Sequence, residues 1–368
     1  MLQQPNPGSG ARIGRMPLPV IPPAVLAAWN LDGRSAAPLG SGLINHTWLV
    51  ASSPASGEPV VCHVLQQLNP VFPASVNDDI RAVTRHLRAA GMTTPELVPT
   101  RDGRWWCEDA GRIYRVLTWI EGINRNRLSS PAEAAAAGAL LARFHRTLDS
   151  LDHRFSNPRL GVHDTTRHLA VLRQALVDHA DHRQIGTIRP LAEDILELAG
   201  GLPALPVGPD RVVHGDPKVN NLLFDVATGD GLCLIDLDTL GRMPLVLELG
   251  DAFRSWCNPA GEDERVSDFD LALFAGAVRG YAGLASGWIK AGEIAGIVAG
   301  TLTIYVELAA RFCADALREC YFGWNPQRFA TRSEHNQARA TSQLNAARAL
   351  WQVRAAADEV VRRAFAGT

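Results

Sequence analysis

His214-Gly-Asp-Pro-Lys-Val-Asn-Asn221 is followed by Ile235-Asp-Leu-Asp238, and everything else in this chain is read outward from these two stretches. Asp216 and Asn221 stand five residues apart, a separation one tight loop spans with the carboxylate facing an incoming hydroxyl and the amide oxygen facing a metal. Asp236 arrives fifteen positions after Asn221, at the end of the apolar run Leu232-Cys-Leu-Ile235, which reads as a short buried strand. Three oxygen-bearing side chains thereby converge on Mg²⁺ and phosphate. A loop with His-x-Asp and an Asn five residues on, joined to a strand-borne Asp downstream, points to phosphoryl transfer. His214 reads as a scaffold for its loop, and Asp238 as an outer metal ligand or a turn cap.

Composition is consistent with such a site. A chain of 368 residues suits two lobes, and 46% apolar against 20% charged residues allows a large core. A formal charge of −2 and a pI near 6.6 argue against a nucleic-acid partner, which calls for a basic face. The six cysteines show no Cys-x-x-Cys pair and read as reduced thiols of a cytoplasmic protein. The first 23 residues read as a flexible tail without the basic start and apolar core of a signal peptide. The apolar stretch Ile294 to Val306, flanked by Glu293 and Glu307, is short for a bilayer and reads as a buried helix.

Residues 24–122 are expected to form one lobe and 123–368 the other. In the first, Pro38-Leu-Gly-Ser-Gly-Leu-Ile-Asn-His-Thr-Trp-Leu-Val50 reads as a glycine turn opening into a strand, an ordinary hairpin or a cover for phosphates. Val60 to Leu65 and Ile113 to Ile120 read as further strands, with a helix over 74–89 between them and a hinge at Glu121-Gly122. Beyond the hinge the sequence turns helical. Pro131 to His145 follows the candidate caps Ser129 and Ser130, and more helices are expected over 166–180, 188–198, 268–280, 291–318 and 334–363.

These residues resemble the aminoglycoside phosphotransferase and choline kinase superfamily, which shares the protein-kinase fold. Within it, several segments look like the N-acetylhexosamine 1-kinases: Gly40 to Thr47, Val64 to Asn69, Val162 to Thr165, Asp216 to Asn221, Ile235 to Thr239, Gly250 to Arg254, Arg311 to Asp315 and Glu319 to Phe322. The resemblance implies an α+β, two-lobed fold with a small antiparallel-sheet N-lobe and a mainly helical C-lobe. It implies ATP as co-substrate, Mg²⁺ as cofactor and an amino sugar as acceptor, with no membrane or nucleic-acid partner. Asp216 would orient or deprotonate the acceptor hydroxyl, and Asn221 and Asp236, with Asp238 near them, would hold the metal. Gly40, Ser41, Gly42, Asn45, Thr47 and Gln66, with Trp119 and Glu121 at the hinge, would form the nucleotide side. Arg254, Arg311 and Tyr321 would join Asp216 on the acceptor side.

Lys218 is singled out because Lys218 and Lys290 are the only lysines in a chain that otherwise uses arginine. Two residues after Asp216, it reads as a point charge for the γ-phosphate. One departure stands against the pattern. Between Arg34 and Arg81 there is no Lys or Arg, so the strand that carries the phosphate-pairing lysine in kinases offers only His63, Gln66 and Gln67. This leaves open a catalytically silent nucleotide-binding relative. Other readings compete on the acceptor side: Arg311 with Glu307 at i,i+4 on a helix face, Tyr321 in the core, and Asp251 with Arg254 as an internal salt bridge. The acidic run Glu262-Asp-Glu264 keeps a cationic acceptor open.

Overall fold

The computed structural model describes residues 19–40, 44–52, 60–158, 161–261, 263–264 and 266–367. Most of the tail, and Ser41, Gly42 and Glu262, therefore lie outside the described residues. The first lobe holds α1 (Pro23–Ala28), β1 (Ser35–Pro38), β2 (His46–Ala51), β3 (Cys62–Gln67), α2 (Val76–Ala89), β4 (Cys107–Asp109) and β5 (Arg112–Thr118). Its strands form one antiparallel sheet in the order β1-β2-β3-β5-β4. Side chains alternate across a strand, so the sheet has two distinct apolar faces. Leu65, Tyr114 and Val116 pack with Trp48, Val50 and α1. Leu117, with Val64 against it, joins α2 and the large core of the second lobe. Gln66 and Arg115 share this second face, while Gln67 and His63 point to the other.

The second lobe opens with β6 (Ile123–Asn124), then α3 (Pro131–Leu148), α4 (Thr165–Asp178) and α5 (Ile185–Gly200). Ser130 caps α3, its hydroxyl accepting from Glu133 N at 3.2 Å while Glu133 reaches back to Ser129 N at 2.8 Å. Four short strands follow: β7 (Asp210–Val213), β8 (Leu222–Phe224), β9 (Gly231–Leu234) and β10 (Gly241–Pro244). Then come α6 (Leu245–Trp256), α7 (Leu271–Ala285), α8 (Ala291–Ala295), α9 (Ile297–Arg318), α10 (Arg332–Gln352) and α11 (Arg354–Ala366). The expected long helices over 291–318 and 334–363 are each divided, at Gly296 and at Val353. A small antiparallel-sheet lobe and a helical lobe are thus the architecture.

The short strands place the two signature loops. Val213 at the end of β7 pairs with Gly241 at the start of β10, so the entrance of the 214–221 loop lies beside the exit of the 235–240 loop. Leu222 at the start of β8 pairs with Leu234 at the end of β9, so the other two loop ends meet as well. Two antiparallel ladders thus fix both ends of each loop, although the loops have little regular structure.

α9 is long and apolar enough to cross a membrane, but 83% of its most apolar window is buried in the protein, as in a core helix. It crosses α6 where side chains are absent. A Cβ on Gly300 would lie 2.1 Å from the carbonyl oxygen of Val246, and one on Gly250 would lie 2.6 Å from that of Gly300. This close crossing sets Asp251 and Arg254 of α6 against the face of α9. Gly300→Ala is expected to destabilise the fold by about 1–3 kcal/mol through overpacking, read as a lower urea midpoint at unchanged slope.

Candidate active site

The 214–221 loop is held by its backbone. His214 N and Gly215 N donate to the two oxygens of Glu248 on α6 at 2.9 and 3.0 Å. Farther along α6, Ser255 Oγ accepts from Val219 N at 3.1 Å and Trp256 Nε1 donates to Pro217 O at 2.8 Å. His214 Nε2 lies 2.9 Å from Ile235 O, and Thr239 Oγ1 donates to His214 O at 2.8 Å, tying the two loops together. His214 is thus a brace within the site. Burial opposes charge on Glu248, but His145 first, then His214 and the Gly215 N–H, hold its carboxyl below the usual glutamate range.

Within this frame the polar groups converge. Lys218 Nζ lies 2.7 Å from Asp216 Oδ2, and Asn221 Nδ2 donates to Asp216 O at 2.8 Å and to Oδ2 at 3.3 Å. Burial pushes the Asp216 carboxyl up, yet Lys218, with His214 and Arg254, outweighs it and holds the group below the ordinary aspartate value. Asp236 behaves oppositely: burial and then the neighbouring Asp238 carboxylate raise it. Its backbone stands in the left-handed region, φ 63° and ψ 57°, which non-glycine residues seldom occupy outside turns and functional sites.

Asn221 spends its amide N–H on Asp216, which leaves the amide oxygen for a cation, and the half-buried Asp236 carboxylate, crowded by Asp238, is only partly compensated by Lys218 and His214. Both are hard oxygen donors suited to Mg²⁺. Among the described residues no three His, Cys, Asp or Glu side chains form a metal cage. Mg²⁺ fits this arrangement because it takes one or two protein ligands and completes its shell with water and phosphate.

Asp238 is placed differently from the expected metal ligand. It is 2% exposed, with Oδ1 2.5 Å from Arg115 NH1 and Oδ2 accepting from Asn45 Nδ2 at 2.5 Å. Both oxygens are spent on donors from the first lobe. Asn45 Oδ1 in turn accepts from Asn69 N at 2.9 Å. Gln66 Oε1 accepts from Arg115 Nε and NH2 at 2.9 and 2.7 Å, while Gln66 Nε2 donates to Thr47 Oγ1 at 3.3 Å. Gly40 precedes the turn with φ 71°, and Trp119 and Glu121 are exposed in the hinge segment between β5 and β6.

On the acceptor side, Arg254 Nε donates to Asp251 Oδ1 at 2.9 Å, and both residues are buried. Burial raises the Asp251 carboxyl, with Arg254 opposing and Asp216 adding to the rise. The fully buried Glu307 on α9 accepts from Thr165 Oγ1 at 2.8 Å, pairs with His163 Nδ1 at 2.9 Å and lies 3.8 Å from Arg311 NH1. Arg311 also stacks over Phe322 at 5.8 Å. In the last turn of α9, Asp315 accepts from Tyr321 N at 2.9 Å and Phe322 N at 2.8 Å, and Tyr321 is 67% exposed instead of in the core. Asp164 caps α4 through Arg167 N at 2.9 Å. Of the acidic run, Asp263 is held by His335 and Arg339 of α10, and Glu264 by Arg328. A cavity of about 640 Å³ opens behind β7 and β10, lined by Phe155, Val162, His163, Met243 and Leu247, but none of Asp216, Asn221 or Asp236 borders it.

Residues 35–285, more than half of the chain, match the profile of the phosphotransferase enzyme family. The chain belongs to that family. The matched region of this phosphotransferase-family chain includes both loops and α6 and ends before Glu307 and Arg311. Homoserine kinase of Afipia carboxidovorans is 31% identical over 192 residues, 52% of this chain and 55% of that protein. Homoserine kinase of Rhodopseudomonas palustris is 32% identical over 178 residues, 48% and 51% of the two chains. The chain thus spans about half the length of the curated relatives it matches. The fold resembles an aminoglycoside phosphotransferase from Alicyclobacillus acidocaldarius, with TM-score 0.61 and 18% identity over 94% of this chain and 99% of that one. It also resembles a microcompartment-associated aminopropanol kinase, with TM-score 0.58 and 17% identity over 91% and 97%.

Two residues of consequence escaped the sequence reading. Glu248 lies on α6, a helix the sequence reading did not contain. Arg115 carried a signal, since a charge inside the apolar run Ile113 to Ile120 must be paired if the strand is buried. Glu248→Ala removes the carboxylate that accepts from His214 N and Gly215 N and is expected to cost about 2–5 kcal/mol. Glu248→Gln tests the charge alone. A carboxyl held below its unfolded value stabilises the fold above the usual glutamate range and ceases to do so as pH falls through the folded value. The stability gap between wild type and Glu248→Gln, measured by denaturant unfolding, is therefore expected to be widest near neutral pH and to close in acid.

Proposed function

We propose that this chain is an ATP-dependent kinase that moves the γ-phosphoryl group to the hydroxyl of a small molecule. The observation that carries this reading is the loop constellation: Asp216 held ionised by Lys218, Asn221 fixed against it, and Asp236 stapled alongside by the β7–β10 and β8–β9 ladders. Asp216 orients the acceptor hydroxyl and takes its proton as the bond to phosphorus forms. Lys218, already at the carboxylate, offers its charge to the transferring group. Asn221 and Asp236 would hold Mg²⁺, which when bound screens charge on the nucleotide phosphates. The Arg115 charge beside Gln66 counts against a silent relative, because the first lobe has a buried cation after all.

The acceptor is a neutral or zwitterionic alcohol. Arg254 is matched by Asp251 and Arg311 by Glu307, so the acceptor side shows no excess of either sign for a polycation or a polyanion. Within that class the reading favoured by the segments from Gly40 to Phe322 is the anomeric hydroxyl of an N-acetylhexosamine. Tyr321 and Arg311 would supply its stacking surface and directional donors. A second reading, the hydroxyl of homoserine, is favoured by the curated relatives, whose names assign them that acceptor.

ADP release from Mg·ATP, measured with N-acetylglucosamine, N-acetylgalactosamine, homoserine, choline and an aminoglycoside, separates these readings. Turnover confined to N-acetylhexosamines, with phosphate at the anomeric position, is the expected outcome; turnover confined to homoserine replaces the acceptor. Asp216→Ala is expected to bind Mg·ATP almost normally and to lose about 10²–10⁴ in turnover, as for removal of a general base. Wild-type turnover in that variant overturns the mechanism.

A further inference from the structure

We infer that Arg115 supplies, from β5, the first-lobe positive charge for the α- and β-phosphates of the nucleotide that kinases ordinarily take from a lysine on the equivalent of β3. The assignment rests on the phosphotransferase reading above.

The need comes first. A polyphosphate bound between the lobes carries several negative charges, and a cation on the sheet that covers it is part of the kinase solution. Here residues 35–80, which span β1, β2, β3 and the turns between them, contain no lysine or arginine. A cation must therefore reach the same place from another strand.

The register shows which one. Gln66 on β3 and Arg115 on β5 are direct partners in the antiparallel ladder. Directly opposite residues on an antiparallel pair share one face, with Cβ atoms about 5 Å apart. Arg115 thus sits one strand over from the place a β3 lysine would take, on the face turned toward α2 and the 235–240 loop. Gln66 positions it, since one amide oxygen receives both Nε and NH2 and so fixes the plane of the fork. The amide of Gln66 is accordingly a holder of the cation and not its chemical substitute.

The charge is also permanent, and it lies beside the 235–240 loop. Arginine does not lose its proton in a protein, even at the 1% exposure of Arg115. NH1 contacts Asp238 at 2.5 Å and Asn77 of α2 at 3.4 Å, which places the guanidinium two residues along the chain from Asp236. Of the five N–H groups, Gln66 takes two and Asp238 and Asn77 the two of NH1. One hydrogen of NH2 is left, among the described residues, for a phosphate oxygen. A planar fork suits that task, because it binds carboxylate and phosphate in one plane.

The full chain is titrated with Mg·ATP and, separately, with adenosine, which has no phosphate. Arg115→Gln is expected to weaken Mg·ATP by about 10- to 100-fold, the worth of one charged hydrogen bond, and to leave adenosine within about twofold. Gln66→Lys/Arg115→Gln moves the cation back to β3 and is expected to restore most of the Mg·ATP affinity. Arg115→Gln alone leaves Asp238 buried and unpaired, so Arg115→Gln/Asp238→Asn, which removes both charges, is measured beside it. The ratio of Mg·ATP to adenosine affinity is expected to fall in this variant also. A ratio equal to wild type in the folded variants, or equal losses for both ligands, shows a purely structural Arg115 and overturns the assignment. If the wild-type chain itself does not bind Mg·ATP, the kinase reading fails together with it.

Discussion

One carboxylate holds the site in register. Glu248, buried on α6, accepts the backbone N–H groups of His214 and Gly215, the two residues at which β7 gives way to the loop. A loop with Asp216, Lys218 and Asn221 crowded into six residues cannot fix its own geometry. Its polar side chains bond to one another and its backbone groups lack a ladder. A rigid helix supplies the missing acceptors, and Ser255 and Trp256 on the same helix secure the rest of the loop. Because α6 meets α9 at a glycine crossing, the element that anchors the loop also sets where Glu307 and Arg311 lie.

A second buried interaction joins the lobes. Asp238 is placed by the 235–240 loop of the helical lobe, yet both of its oxygens answer to the sheet lobe through Arg115 and Asn45. A buried pair of this kind adds little net stability relative to apolar packing, because desolvation offsets the attraction. Removing one partner is costly, about 3–5 kcal/mol. Its value is therefore in specifying one relative arrangement of the strand pair β3–β5 and the loop that carries Asp236. α2 adds a third tie, since Asp79 accepts from His153, Ser156 N and Asn157 N beyond α3.

Much of this was legible in the sequence. Asp216, Asn221 and the strand-borne Asp236 were visible because their spacing is set by local chain geometry, one tight loop and one short strand. Helix α3 announced itself by Ser129, Ser130 and Pro131, whose capping chemistry is also local. Asp238 was open between an outer metal ligand and a turn cap, and its pairing with Arg115 and Asn45 was not legible because those donors come from distant parts of the chain. Tyr321 and the acidic run were equally open, for the same reason: exposure and pairing depend on residues far away in the chain, such as Asp315 for the one and His335 and Arg339 for the other.

The sequence by itself pointed to a phosphotransferase on a two-lobed frame, because Asp216 and Asn221 stand five positions apart in one loop and Asp236 follows fifteen positions later at the end of a short strand. Only the tertiary structure decided which groups serve and which support them. Arg115 and Gln66 are 49 positions apart and Arg115 and Asp238 are 123 apart, so their meeting is fixed by strand register and lobe packing. No local pattern encodes it. The same holds for Glu248, whose role exists only because α6 packs against the start of the loop, and a buried carboxylate takes its meaning from whatever N–H groups the fold brings to it.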